Sequence, residues 1–247
     1  MTDTAPRVVV VIQARMGSTR LHGKVLEPLL GRPVLDWVVR AAKKADGVDN
    51  VVIATSETSN DDRIDDFGAS LGVQVVRGSE DDVLSRFLLV ANRTRADAVV
   101  RLTADCPLLD PVLISAVVAI WRRTPDVDYV STTHPRSLPR GLDVELVTTK
   151  ALHRADRRTE KYHRAHVTSA VYEDGAEFTC ASLSFLPRND RYRVTLDTHE
   201  DLKLLCALTK LLGDAPPSWR EVVRTLDAHP EIVELNAHIE QKALREG

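Results

Sequence analysis

The run Val8-Val9-Val10-Val11-Ile12 constrains this chain more than any other stretch. Consecutive β-branched residues fit a strand buried on both faces of a parallel sheet. The run breaks off at a polar turn that carries Arg15, Arg20 and Lys24 together with Gly17 and Gly23. Glycines admit close backbone approach, and three cations within a few residues suit a ligand with several negative charges, of which a nucleoside triphosphate is the obvious case. Two familiar phosphate-binding patterns do not fit. A Walker loop would need glycine where Ser18 stands and Ser or Thr where Val25 follows Lys24, and no Gly-x-Gly-x-x-Gly triplet lies between Ile12 and Val25. Any one of these cations alone reads as a solvated surface residue. Their grouping with two glycines directly after a buried strand favours the phosphate reading.

With 247 residues the chain has material for one large α/β domain with an elaboration. A formal net charge of -3 gives no general attraction to nucleic acid or to an anionic membrane, so neither is expected as a partner. Cys106, Cys180 and Cys206 are odd in number and widely spaced, which fits neither a disulfide framework nor a zinc knuckle; a reducing cytoplasm is the simplest setting. The opening apolar run is too short for a signal segment or a membrane span.

Strand and helix patterns alternate along the first half. Helical spacing follows Pro33, an extended run covers Val51 to Thr55, a helix covers Asp61 to Leu71 and stops at Gly72, and a third strand covers Val73 to Arg77. Asp81 or Asp82 caps the next helix, Ala98 to Thr103 is a strand, Pro111 opens a helix, and Val127 to Thr132 is extended. This order predicts an open, mostly parallel, Rossmann-like sheet with helices on both faces and ligands outside the carboxyl ends of the strands. Thr55-Ser56, Arg77-Gly78 and Thr103 to Pro107 then share one rim. Farther on, Leu142 to Val147 alternates so that a strand sends Asp143 and Glu145 to one face. Ala151 to Arg158 and Arg164 to Tyr172 read as helices, Phe178 to Leu186 and Tyr192 to Leu196 as extended, and Leu202 to Leu212, Trp219 to Leu226 and Ile232 to Ile239 as helices. We divide residues 1–247, a single domain, into a nucleotide-binding part (1–132), an inserted acceptor and dimerisation lobe (133–190), and a return strand with C-terminal helices (191–247).

A triphosphate implies Mg2+, held by a few carboxylates plus phosphate oxygens. Asp105 after the fourth strand and Asp197 after Arg193-Val194-Thr195-Leu196 are placed to supply them. Each has a competing reading: Asp105 as a cap near Pro107, Asp197 as the N-cap of the following helix with Glu200 as its box partner. His163, Arg164 and His166 fit a solvated helix start, with no third ligand at zinc spacing. For Asp143 and Glu145 a solvated strand face is the commoner explanation of alternating charge. Cys106 lies beside a candidate metal ligand but shows no activating base.

The blocks Ile12-Gln13-Ala14-Arg15-Met16-Gly17-Ser18-Thr19-Arg20-Leu21, Gly23-Lys24-Val25-Leu26, Ala54-Thr55-Ser56, Arg77 to Leu84, Arg101 to Pro107, Gly141 to Glu145, His166-Val167-Thr168 and Asp197-Thr198 together resemble the spore-coat polysaccharide synthesis cytidylyltransferase-like family, which is similar to the acylneuraminate and 3-deoxy-manno-octulosonate cytidylyltransferases. The resemblance implies a sheet of the nucleotide-diphospho-sugar transferase kind, and transfer of CMP from CTP to an acidic sugar of the nonulosonate or ulosonate type, with release of pyrophosphate. It implies that the backbone of Ala14, Arg15, Met16, Gly17 and Ser18 holds the nucleotide, that Arg15 and Lys24 bind the triphosphate, and that Arg77-Gly78 lies near the base. Asp105 and Asp197 are implied as magnesium ligands, and Asp143, Glu145 and His166 as facing the acceptor. Arg20, Thr55, Ser56 and Thr103 complete the expected nucleotide rim, Arg164 the acceptor side, and Arg15, Lys24 and Asp105 the catalytic set; a homodimer is expected. Two positions depart from the family pattern: His22 stands for Pro, and Ala165 for Glu. A glycosyltransferase consuming a sugar nucleotide and a non-catalytic nucleotide-binding module are the rival readings, and retention of Lys24, Asp105 and Asp197 argues against the second.

Overall fold

A computed structural model describes residues 5–173 and 175–240. β1 (Val8–Gln13) leads through a 3-10 turn at Lys24–Leu26 to a small ribbon, β2 (Pro28–Leu29) with β3 (Arg32–Pro33). There follow α1 (Val34–Lys44), β4 (Asn50–Ser56), α2 (Asp62–Ser70), β5 (Gln74–Gly78), α3 (Val83–Thr94), β6 (Ala98–Thr103) and α4 (Pro111–Arg123). The second half carries β7 (Tyr129–Ser131), β8 (Glu145–Thr148), α5 (Thr149–Ala155), α6 (Lys161–His166), α7 (Ser169–Glu173) and β9 (Cys180–Ser182). It closes with α8 (His199–Leu212), α9 (Trp219–Ala228) and α10 (Pro230–Val233).

The main sheet runs β5-β4-β1-β6-β8-β7-β9. β5, β4, β1 and β6 are mutually parallel, and β8 is antiparallel to both of its neighbours. The valines of β1 explain its central position. Val8, Val10 and Ile12 enter one core with α1, α4 and α8, whereas Val9 and Val11 enter the other with α3, α5 and α7. An alternating strand would bury only one of these faces. From β1 the chain goes to β4 and β5 on one side, then returns to β6 on the other, so the direction of winding reverses between β1 and β6. Ligands in open α/β sheets bind at such a switch point, outside the carboxyl ends of the strands. The loops that follow β1 and β6 carry Lys24 and Asp105 there.

The lobe differs from its expected elements. The strand expected from Leu142 begins only at Glu145, and Asp143 turns aside to Arg136, so Asp143 and Glu145 do not share a strand face. The helix expected over Arg164 to Tyr172 is two, parted at Val167 with φ 51°. Tyr192 to Leu196 is no strand of the sheet: β8 already pairs on both edges, and the segment is held instead by an isolated bridge between Arg140 and Arg193 and by Leu196 N donating to Asp105 O at 2.8 Å. Phe178 to Leu186 contributes only the three residues of β9. The last helix among the described residues is α10 rather than Ile232 to Ile239, and residues 241–247 of the expected third part lie outside the described residues.

Candidate active site

The loop after β1 is pinned from below by a buried carboxylate. Asp61, 1% exposed, accepts Met16 N at 2.7 Å, Thr55 Oγ1 at 2.8 Å, Ser56 N at 2.9 Å and Ser56 Oγ at 2.5 Å. Burial pushes its pKa up, but these donors prevail and hold it below the ordinary carboxylate value. Thr55 and Ser56, expected as nucleotide contacts, thus spend their hydroxyls on Asp61. Gly23 then turns the chain with φ 69° and donates to Met16 O at 3.0 Å. That left-handed turn, costly for any residue with a Cβ, delivers Lys24 to the switch point.

Lys24 Nζ lies 2.5 Å from Asp105 Oδ2 and 2.6 Å from Asp197 Oδ1. Burial favours the neutral amine, yet the two carboxylates outweigh it and raise the Lys24 pKa. On Asp197, Oδ2 takes Arg193 at 2.5 Å and Arg20 at 3.1 Å. Burial raises its carboxyl pKa, but Lys24, Arg193 and Arg20 more than offset this and lower it to about 2. The segment is held by Asp201, fully buried, which accepts Asp197 N at 2.9 Å, Thr198 N at 3.1 Å and Arg193 Nε at 2.9 Å. Thr198 and Asp201 form the capping box of α8, so the cap reading of Asp197 with Glu200 is overturned and the Asp197 side chain faces the site. Gly141 fixes the same segment from the lobe: at φ 103°, a Cβ there would stand 2.7 Å from Val194 C and Thr195 N.

Arg15 is exposed at the rim, and Thr103 Oγ1 lies 3.2 Å from Cys106 Sγ. The Cys106 thiol is buried and pushed well above its ordinary pKa, which suits an inert packing residue. Other expected contacts are bound elsewhere. Arg77 reaches Ser56 O, Thr58 O and Asp62 at 3.0, 2.8 and 2.7 Å. Glu145 is buried against Arg101, with Tyr129 Oη at 2.5 Å and Thr168 Oγ1 at 2.8 Å, so it is neither a solvated face nor open to an acceptor. Asp143 is held by both terminal nitrogens of Arg136, and Arg164 by Asp82 and Asp156. His166 packs with its ring 5.0 Å from that of Tyr162. Sequence reasoning missed Asp61, Arg193 and Asp201 as organisers, because their partners come from distant turns, and missed Arg140. The Arg140 guanidinium has no side-chain partner among the described residues; burial, with Arg136 and Arg193 nearby, lowers its pKa.

Two hard carboxylates converging on one point fit a divalent cation in donor chemistry. The described residues contain no group of three or more His, Cys, Asp and Glu side chains able to hold a metal. An ion here would take its remaining ligands from substrate phosphates and water, and Lys24 would have to yield its place between the carboxylates.

A parallel-cored α/β sheet, with a cation-bearing turn and two carboxylates at its switch point, has the architecture of a nucleotidyltransferase. Residues 9–239 match the family described as Cytidylyltransferase, and the chain belongs to that family. It is 36% identical to an uncharacterized protein of Methanocaldococcus jannaschii over 97% of this chain and 98% of that one. It is 33% identical to the spore coat polysaccharide biosynthesis protein SpsF of Bacillus subtilis, over 91% and 95%. The structure of a cytidylyltransferase from Leptospira borgpetersenii superposes with a TM-score of 0.89 at 29% identity, covering 96% of this chain and 99% of that one. An 8-amino-3,8-dideoxy-manno-octulosonate cytidylyltransferase of Shewanella frigidimarina matches at 35% identity over 48% of this chain and 49% of its own length. No helix among the described residues is long and apolar enough to cross a membrane.

Proposed function

We propose that this enzyme transfers CMP from CTP to an acidic sugar of the ulosonate or nonulosonate type, with Mg2+ as cofactor. The observation that carries the reading is the Lys24 ammonium held between Asp105 and Asp197 at the switch point. Cation and carboxylates are the pieces needed for a triphosphate and its magnesium, gathered where open α/β sheets bind ligands. Family membership supplies the cytidylyl group, and the octulosonate cytidylyltransferase, matched over about half its length, supplies the acceptor class.

In this reaction an acceptor hydroxyl attacks the α-phosphorus. The new P–O bond forms as the bond from the α-phosphorus to the α,β-bridging oxygen breaks, pyrophosphate leaves, and the hydroxyl proton passes to solvent. When bound between Asp105 and Asp197, Mg2+ supplies charge neutralisation on the phosphate oxygens. Lys24 turns from the carboxylates to the phosphates and, with Arg15 and Arg20, stabilises the charge that develops on pyrophosphate. The backbone from Ala14 to Ser18, held by Asp61, lines the nucleotide. Arg140, whose guanidinium has no side-chain partner among the described residues, meets the acceptor's carboxylate. The test is pyrophosphate release from each nucleoside triphosphate with Mg2+ and a panel of acidic and neutral sugars. CTP with a 2-keto acidic sugar is the expected pair; release driven only by another triphosphate with a neutral sugar phosphate contradicts the reading.

A further inference from the structure

Arg86 has no role in the account so far. It sits on the buried face of α3 at 1% exposure, among Leu84, Phe87 and Val90. Its Nε and Nη1 are buried without a hydrogen-bond partner, and no ion pair of Arg86 forms among the described residues. A sequestered guanidinium without acceptors is costly, and native folds rarely keep one without a use. Lys24, Arg20, Arg77 and Arg164 all have carboxylate partners, whereas Arg86, more deeply buried than any of them, has none among the described residues.

Its position says what could relieve it. A Cβ on Gly78, at the carboxyl end of β5, would stand 3.0 Å from Arg86 Cγ, so the rim glycine lies directly on the arginine stem. Asp61, Arg15, Glu80 and Asp82 are the charges that act on the guanidinium. Asp61 is taken up by Met16, Thr55 and Ser56, and Asp82 by Ser85 N and Arg164. Arg86 therefore lies against the carboxyl end of β5, on the side of the loop after β1. The carboxylates and Lys24 mark the triphosphate end of the site, beside β6. With neighbouring strands about 4.8 Å apart, β5 and β6, three positions apart in the sheet, are separated by roughly 14 Å, a span on the scale of a nucleotide.

We propose that Arg86 donates from beneath the carboxyl end of β5 to the oxygen and nitrogen acceptors on the edge of the nucleotide's base, and so helps select a pyrimidine carrying a carbonyl there. The proposal rests on the nucleotide site of the preceding section. It makes Arg86 a base-contacting residue and explains a cation buried without partners in the nucleotide-free protein.

Arg86→Gln and Arg86→Lys are compared with the wild type by calorimetry against CTP, CMP, cytidine and inorganic tripolyphosphate, and by thermal unfolding without ligand. Charged hydrogen bonds of this kind correspond to about tenfold or more in affinity. The expected result for Arg86→Gln is that loss, equal for CTP, CMP and cytidine, with tripolyphosphate binding unchanged, and a ligand-free melting temperature equal to or above wild type. Arg86→Lys keeps the charge but not the fork and loses nucleoside affinity likewise. An equal loss for tripolyphosphate, unchanged CTP binding, or a lower ligand-free melting temperature in both variants overturns the proposal. If the wild type prefers another nucleotide, the CTP reading fails; the same comparison is then made with that nucleotide, its monophosphate and its nucleoside, where an equal loss supports the Arg86 assignment and its absence overturns it.

Discussion

Lys24 and Asp197 meet at 2.6 Å although 173 residues of chain separate them. Asp105 closes the same contact from the loop after β6. The ammonium therefore stands where two carboxylates could jointly hold a divalent ion, and under the proposed function metal and lysine would compete for that one small volume. Under the proposed function, Mg2+ binding with a triphosphate would release Lys24 toward the phosphates and so couple metal entry to assembly of the cationic surface.

Replacing Lys24 with alanine should separate these roles. Turnover is expected to fall by a factor of about 10² to 10³, about 3 kcal/mol of transition-state stabilisation. Nucleotide-free protein should bind Mg2+ more tightly than the wild type, because the ammonium no longer occupies the carboxylates. Calorimetric Mg2+ titration of the two proteins checks it; weaker metal binding in the variant would mean that Lys24 organises the carboxylates rather than competing for them.

Asp197 and its neighbour Thr198 should part company when mutated. Thr198→Ala removes the α8 cap and costs about 1 kcal/mol of stability with no change in the Mg2+ needed for half-maximal activity. Asp197→Asn, like Asp105→Asn, should raise that Mg2+ requirement, since a neutral amide is a poorer ligand for a hard cation. Melting curves and metal titrations on the same preparations are the readout, and a Thr198→Ala enzyme that needs more Mg2+ would refute the division.

Asp61→Asn should cost about 3 kcal/mol at neutral pH, because charged acceptors of buried donors are worth more than neutral ones. Its folded pKa lies below the ordinary 3.8, so its stabilisation is complete above that value and disappears as pH falls through the folded pKa. The stability gap between wild type and variant is thus wide at neutral pH and closes below the carboxylate range. Denaturant unfolding from neutral pH downward measures it; a gap that widens in acid has the wrong sign.

Glu145→Gln is expected to damage stability ahead of acceptor recognition. It leaves the partly buried Arg101 without its counter-charge, a loss of about 3 to 5 kcal/mol. Pairing Glu145→Leu with Arg101→Met should recover most of the melting temperature, since removing both charges removes the desolvation cost. Normal stability of Glu145→Gln with a raised acceptor KM would instead return Glu145 to the substrate.

What the sequence disclosed depends on how local the physics is. Val8 to Ile12 showed a doubly buried strand because the core on each face demands it of five successive residues, and the strand-helix alternation followed from period alone. Lys24, Asp105 and Asp197 could be singled out because each follows a strand or an extended run and carries charge at a rim. Their mutual pairing could not, since it needs three distant turns folded together. Glu145 misled for the same reason: its alternation with the apolar Val144 and Leu146 is real, but Arg101, its partner, lies 44 residues away. Asp61 looked like the start of a helix and proved to be the anchor of Met16, Thr55 and Ser56. Val167 at positive φ breaks the helix expected over Arg164 to Tyr172.

The central claim is tested most directly by following phosphorus. CTP labelled at the α-phosphate is incubated with Mg2+, a 2-keto acidic sugar and either the wild type or Asp105→Asn, and the labelled products are separated. The account predicts label in a CMP-sugar, one pyrophosphate released per transfer, and little of either from the variant. Label recovered only in free CMP, or never leaving CTP while a sugar nucleotide is consumed instead, would contradict it.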